Sequence, residues 1–213
     1  MKIGSTLTRR LSTLGHEVSV ANSRGPETLE ALAAETGARA VQAVEAARGA
    51  DVLIVTIPQK SVPDLPDGIL DGAGDDLVVV DTGNYYPRQR DGRIAEIEEG
   101  LPESVWVQGQ LGVSVIKAFN GFRAQHLLEL GKPKGSPGRI ALPVVWDHAP
   151  AKEVIMRLVD ELGFDAVDAG ALEGSWRQQP GSPVYGQDFD AAGIAAALAR
   201  ATPERSEEWS AHG

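Results

Sequence analysis

The run Gly15-His16-Glu17-Val18-Ser19-Val20-Ala21-Asn22-Ser23-Arg24 carries an apolar strand pattern into a hydroxyl and a guanidinium, with no carboxylate at its end. In parallel α/β folds that hold dinucleotides, a carboxylate at the end of the second strand hydrogen-bonds the adenosine ribose of NAD. An arginine there accommodates the extra 2'-phosphate of NADP. Ser23 can donate to such a phosphate and Arg24 can grip it through charge-assisted bonds. The residues therefore point to NADP. Arg24 beside Gly25-Pro26 also fits a solvated turn residue when taken alone, and it is the surrounding pattern that favours the clamp.

Three further stretches place unusual polar residues directly after apolar runs: Thr56-Ile57-Pro58-Gln59, Asp81-Thr82-Gly83-Asn84-Tyr85-Tyr86-Pro87 and Lys117-Ala118-Phe119-Asn120-Gly121. Ligands of open parallel sheets bind beyond the carboxyl ends of the strands. Gly83 and Gly121 would let backbone approach a ligand, and Asn84 and Asn120 can hydrogen-bond a ribose or a carboxamide. Any α/β protein has Gly and Asn turns, but three on one edge together with the Arg24 clamp favour a binding site. Neither a Ser-His-Asp set nor a paired-carboxylate constellation is evident. Hydride transfer between stacked rings needs alignment and water exclusion more than an acid or base, so an enzyme remains compatible. Lys117 and Asn120 have the residue types of a catalytic Lys and Asn pair, but they close a strand where such a pair sits on a helix.

The elements that must hold these residues alternate as a parallel sheet with helices on its faces demands. Leu7, Leu11 and Leu14 recur at helical spacing up to a stop at Gly15, and Pro26 to Gly37 forms a second helix with Leu29, Leu32 and Ala33 on one side. Strands are expected at 38–41, 51–57, 77–81, 113–119, 139–145 and 163–170. Helices are expected at 43–48, 122–130, 149–162 and 190–200. Gly131 to Gly138 reads as a loop over the active face, Gly174 to Tyr185 as a Trp-, Gln- and Pro-rich excursion, and Thr202 to Gly213 as a polar tail. The fold class is α/β, a doubly wound parallel sheet of the Rossmann type with a small C-terminal extension. Residues 1–120 are expected to form the dinucleotide-binding core, and 121–213 its continuation and the extension.

The opening departs from this plan. A Rossmann unit begins with a buried strand and a G-x-G-x-x-G loop before its first helix. Met1-Lys2-Ile3-Gly4 offers only the beginning of a strand and passes straight into the helix. A strand end plus the fingerprint takes roughly eight residues, which the pattern places between Gly4 and Ser5; the alternative is a truncated chain. Losing about four buried apolar residues would forfeit roughly 6 to 12 kcal/mol, comparable to the whole stability of a domain at about 5 to 15 kcal/mol. The expectation is therefore an intact protein heavier than this sequence.

The 213 residues, 42% of them hydrophobic, suffice for a full core. A formal charge of -10 disfavours nucleic acid as a partner. No run approaches membrane-spanning length and the first residues form no signal peptide, so no membrane partner is expected and a cytoplasmic location is. With no Cys, disulfides and thiolate metal sites are excluded. His16, His126, His148 and His212 lack ligand spacing, so no metal is expected.

The segments GHEVSVANSRGPETL, DVLIVTIP, VVVDTGNYYP, VIKAFN, RIALPV and ELGFDAVDAG, in that order, resemble the NADP oxidoreductases that depend on the deazaflavin coenzyme F420. The resemblance covers most of residues 5–172 and is specific as a series; the missing glycine fingerprint is its main departure. It implies an NADP-binding Rossmann domain with a small C-terminal extension, usually in a homodimer. It also implies that Ser23 and Arg24 hold the 2'-phosphate, that Thr56, Ile57 and Pro58 line the cofactor, and that Asn84, Ala118 and Asn120 flank the nicotinamide end. Tyr85, Tyr86 and Trp176 offer flat surfaces for a second, planar substrate, although such rings more often pack into a core or an interface. The expected activity is hydride transfer between NADPH and a planar acceptor such as coenzyme F420. The alternatives are reduction of another small molecule (a flavin, a quinone or a carbonyl compound) and a non-catalytic NADP-sensing protein.

Overall fold

Leu7 and Leu11 lie one helical turn apart, and burying both turns the first helix, α1 (Ile3–Thr13), onto the central sheet. The computed structural model describes residues 2–147 and 149–211, so His148 and His212 lie outside the described residues. After α1 come β1 (Ser19–Val20), a 3-10 turn (Pro26–Leu29), α2 (Glu30–Thr36), β2 (Arg39–Ala40), β3 (Val52–Val55) and β4 (Val78–Asp81). The chain continues through α3 (Ala95–Glu98), α4 (Glu103–Leu111), β5 (Val115–Lys117), α5 (Ala124–Glu129) and β6 (Ala141–Val144). It ends with α6 (Ala149–Glu161), β7 (Asp165–Asp168), a 3-10 segment (Leu172–Gln178), α7 (Ala191–Arg200) and a short 3-10 turn (Glu207–Trp209). Gly37 caps α2 in the left-handed conformation, and the Asp190 carboxylate caps α7 by accepting the Gly193 N–H.

Every ladder is parallel. β1 pairs with β2, β3 with β4 and β4 with β5, in registers Val52↔Val78 and Val79↔Val115, and β6 pairs with β7. An antiparallel bridge from Lys117 to Val145 joins the middle ladder to the last. Alternate residues serve opposite layers, as the two-residue period of a strand requires. Val78, Val80 and Ile116 pack with α1, α5 and α6, whereas Val79 and Val115 pack with Trp106 and Val107 of α4. Helices on both faces explain why these strands read as continuous apolar runs. A third cluster sets Ile194, Ala197 and Leu198 of α7 against Ala141.

The parallel α/β class holds, with its sheet divided between β1 and β3, which share no ladder; β1 and most of β3 are only half-buried while β4 and β5 are buried throughout. Three expectations within it are corrected. At the same place, Ile3 and Gly4 do not start a strand. They are the first turn of α1, where Thr6 N–H reaches Lys2 O and the Thr8 hydroxyl reaches Gly4 O, because four residues cannot hold both a strand and a loop. The 131–138 loop lies at the amino ends of the strands. α5 runs back along the sheet, so its exit is beside α6, where Lys132 N–H bonds Gly163 O at 2.9 Å and Arg139 reaches Asp160 and Asp165. The expected polar tail is docked through residue 211, as described below. Among the described residues no helix is long and apolar enough to cross a membrane.

Candidate functional site

The carboxyl ends of β3, β4 and β5 meet in a buried polar network. Asp81 closes β4 at 1% exposure; its Oδ2 accepts from the Ser104 hydroxyl at 2.7 Å and from Lys117 Nζ at 3.1 Å, and its Oδ1 accepts the Gly83 N–H at 2.7 Å. Lys117, wholly buried, also donates to Gly83 O at 2.5 Å. A side chain on Gly83 would collide with Gln59 Oε1 at 2.6 Å and Asp81 Oδ1 at 2.8 Å, so glycine is a packing requirement here. The next residue of β5's exit but one, Phe119, has φ +62°, the sole positive φ outside glycine among the described residues. That conformation costs about 1 to 3 kcal/mol and swings the chain so that Asn120 faces Asn84.

Asn84 and Asn120 interlock. Asn120 Nδ2 donates to Asn84 Oδ1 at 3.0 Å and to Gln178 O at 2.7 Å, Asn84 Nδ2 donates to Asn120 O at 2.8 Å, and Gln178 Nε2 donates to Asn120 Oδ1 at 3.1 Å. Asn84 is the half-exposed rim of this cradle. Gln59 Oε1, Gln178 Oε1 and the Ser175 hydroxyl are buried within the same end of the fold without a hydrogen-bond partner. Buried polar atoms are rarely left so.

Thr56, Ile57 and Pro58 form the half-buried end of β3. The N-terminus of α1 abuts it closely: a side chain on Gly4 would stand 2.5 Å from Thr56 Oγ1. Beyond β1, Asn22 Oδ1 accepts the Arg24 N–H at 2.8 Å and Asn22 Nδ2 donates to Thr28 Oγ1, a turn that presents Ser23 and Arg24 to solvent.

Two of the expected contact residues are buried in the core. Ala118 is a fully buried member of the first core layer. Tyr85 is equally buried in the second layer, with its hydroxyl accepting the Ile94 N–H at 3.0 Å, and burial pushes it up to about 12. Its ring has no free face, because consecutive residues of an extended chain point to opposite sides; Tyr86 is the one that faces out. Trp176 is half-buried under the Arg177 guanidinium, 4.4 Å above its ring. His16 and His126 pair with Glu161 and Asp188 at the surface.

Residues not anticipated complete the site. Glu103, wholly buried at the start of α4, accepts the Tyr85 N–H at 3.0 Å and pairs with Arg205 at 2.8 Å. Burial raises its pKa, against the pull of Lys117 and Arg205. Tyr185 hydrogen-bonds the Tyr86 hydroxyl, and the Arg90 guanidinium lies 4.8 Å over the Tyr86 ring.

Residues 2–85 match the family described as NADP oxidoreductase, coenzyme F420-dependent. The hypothetical protein SMa0349 of Sinorhizobium meliloti superposes with a TM-score of 0.73 at 29% identity, over 88% of this chain and 90% of that one. A protein of Arthrobacter sp. FB24, provisionally described as an F420-dependent NADP-reductase, superposes with a TM-score of 0.64 at 21% identity over 80% and 81% of the two chains. YjhV of Escherichia coli K12 is 50% identical over 60 residues, 28% of this chain; that match covers 44% of YjhV's length. The Rossmann-like α/β fold is shared with these structures, and the match to the NADP oxidoreductase family spans residues 2–85 of this chain. The resemblance to the F420-dependent NADP oxidoreductases holds over residues 2–85, up to the turn that carries Asn84.

Proposed function

We propose that the protein transfers hydride between NADPH and a planar acceptor of the deazaflavin class, coenzyme F420, along the carboxyl edge of β3, β4 and β5. The observation that carries this reading is the Asn84, Asn120 and Gln178 cradle, a set of amides held by mutual hydrogen bonds with the Gln178 side-chain Oε1 left unpartnered. A carboxamide presents both a donor and an acceptor and suits such a rim.

The residues present fit a dinucleotide at both ends. Ser23 and Arg24 would hold the 2'-phosphate, Thr56, Ile57 and Pro58 would line the middle, and Asn84 and Asn120 would meet the nicotinamide end. The pyrophosphate would meet the N-terminal amides of α1. Bound NADPH supplies the hydride. The chain's own part is to fix one ring against the other and exclude water, which is where such a reaction gains most. The buried Asp81 and Lys117 pair and the strained Phe119 position the two asparagines; neither needs to exchange a proton.

A second reading is reduction of a carbonyl or related small molecule, which consumes a proton as well as a hydride. The hydrogen-bonded Tyr86 and Tyr185 hydroxyls at the same edge favour it as a proton source. The experiment is NADPH oxidation followed by its nicotinamide absorbance, with deazaflavin, flavin, quinone and carbonyl acceptors supplied in turn. Turnover with the deazaflavin supports the proposal, and turnover with carbonyls alone supports the second reading. NADPH binding without turnover on any acceptor contradicts both and leaves a sensing protein.

A further inference from the structure

Trp209 rests its indole on two tyrosines at the edge of the site. Its ring centre lies 5.8 Å from that of Tyr86, tilted by 48°, and 6.0 Å from that of Tyr185 at 71°. Both tyrosines belong to the cofactor edge. Tyr86 follows Asn84 by two residues, and Tyr185 backs Gly121, the neighbour of Asn120, with Gly186 N–H bonded to Gly121 O at 3.0 Å. The two phenol rings, joined through their hydroxyls, thus already hold one flat ring against them.

The segment that carries the indole is anchored on either side of it. Arg205 pairs with the buried Glu103 and covers the Tyr85 ring at 5.2 Å; the Ala211 N–H bonds Glu98 Oε2 at 3.0 Å and Arg88 Nε bonds Ser210 O at 3.0 Å. Trp209 itself is half-exposed, so the indole can leave while its anchors stay. Close by, Gln179 Oε1 accepts from Arg205 at 3.4 Å while its Nε2 is buried without a partner, and the buried Ser182 hydroxyl is likewise unpartnered. An indole offers one N–H and no acceptor, whereas a heterocycle bearing carbonyl oxygens and ring nitrogens would satisfy such donors.

We propose that the place against Tyr86 and Tyr185 now held by the indole is the binding site of the planar acceptor ring and that Trp209 is its placeholder, displaced when the acceptor enters. This rests on the hydride-transfer reading for the identity of the ligand, and its test does not require turnover. Riboflavin serves as the probe, titrated calorimetrically into the protein without NADPH. Each aromatic contact of the indole competes with the probe, so Trp209→Ala binds riboflavin about tenfold more tightly than the wild type, while NADPH affinity is unchanged. Adding Tyr185→Leu to that variant abolishes the gain. Unchanged or weaker riboflavin binding by a Trp209→Ala protein that keeps its NADPH affinity overturns the proposal. Tighter riboflavin binding with no NADPH oxidation on any acceptor leaves the ring site standing and removes the hydride-transfer reading. Turnover indifferent to Trp209 does the reverse.

Discussion

Charged clusters close opposite ends of the fold, one at the amino ends of β6 and β7 and the other at the carboxyl ends of β4 and β5, and they are built on different terms. At the amino ends Arg139, almost fully buried, donates to Asp160, Asp165 and three backbone carbonyls, those of Lys132, Asp160 and Gly163, and its carboxylate partners keep contact with water. At the carboxyl ends Lys117, Asp81 and Glu103 are all cut off from water. There Gln59, Gln178 and Ser175 keep polar atoms with nothing to bond. The first cluster acts as a staple for the 131–138 loop. The second carries the larger cost of burial, and that difference supports the proposal of a site at the carboxyl edge.

The comparison breaks most visibly at Lys117. Lys117→Met leaves Asp81 buried with only neutral donors, and removing one partner of a buried pair costs about 3 to 5 kcal/mol, read by chemical denaturation. Arg139→Ala leaves carboxylates that water can reach, so its loss is smaller, roughly 1.5 to 3 kcal/mol for charged hydrogen bonds, and NADPH affinity does not change. If Arg139→Ala costs more than Lys117→Met, the contrast between the two ends is wrong. Asn120→Ala separates stability from binding. It removes the cradle's central amide and leaves Gln178 short of a partner, for about 1 to 3 kcal/mol, and weakens NADPH where Arg139→Ala does not.

The smallest effect is the pH dependence, where the two ends have opposite signs. The Arg139 hydrogen bond holds Asp160 below the ordinary 3.8, so its contribution is present above that value and is lost as pH falls through the lowered one. Burial holds Glu103 above 4.5, so the folded state retains its proton longer than the unfolded chain. Stability from this group is therefore present at low pH and is lost as pH rises through the raised value. Denaturation midpoints across mildly acidic pH should lose the acid-side slope in Arg139→Ala and the opposite slope in Glu103→Gln.

Local patterns made much of this fold legible. The leucine spacing of α1 expresses a helical period, the Gly37 stop of α2 a left-handed cap, and the apolar runs of β4 and β5 burial on both faces. α4 was not legible, because it buries Glu103 and Ser104 beside Trp106 and Val107 and so shows no apolar stripe. Nor was the docked tail: nothing near Arg205 in sequence announces that its counter-charge stands at Glu103, 102 residues away. Comparable separations along the chain hide Tyr185 and Trp209 from Tyr86. Asn84 and Asn120 could be singled out because each follows an apolar strand, a local signal. Separating Tyr85 from Tyr86 needs to know which side of the chain faces the core.

The account depends most on the edge from Arg24 to Asn120 being an NADP site, and paired calorimetric titrations of NADPH and NADH into the wild type and Arg24→Ala test it most directly. The wild type should bind NADPH more tightly than NADH, and Arg24→Ala should weaken NADPH by roughly 1.5 to 3 kcal/mol while leaving NADH nearly as it was. Equal affinity for the two nucleotides in the wild type, or an equal loss of both in the variant, would contradict it.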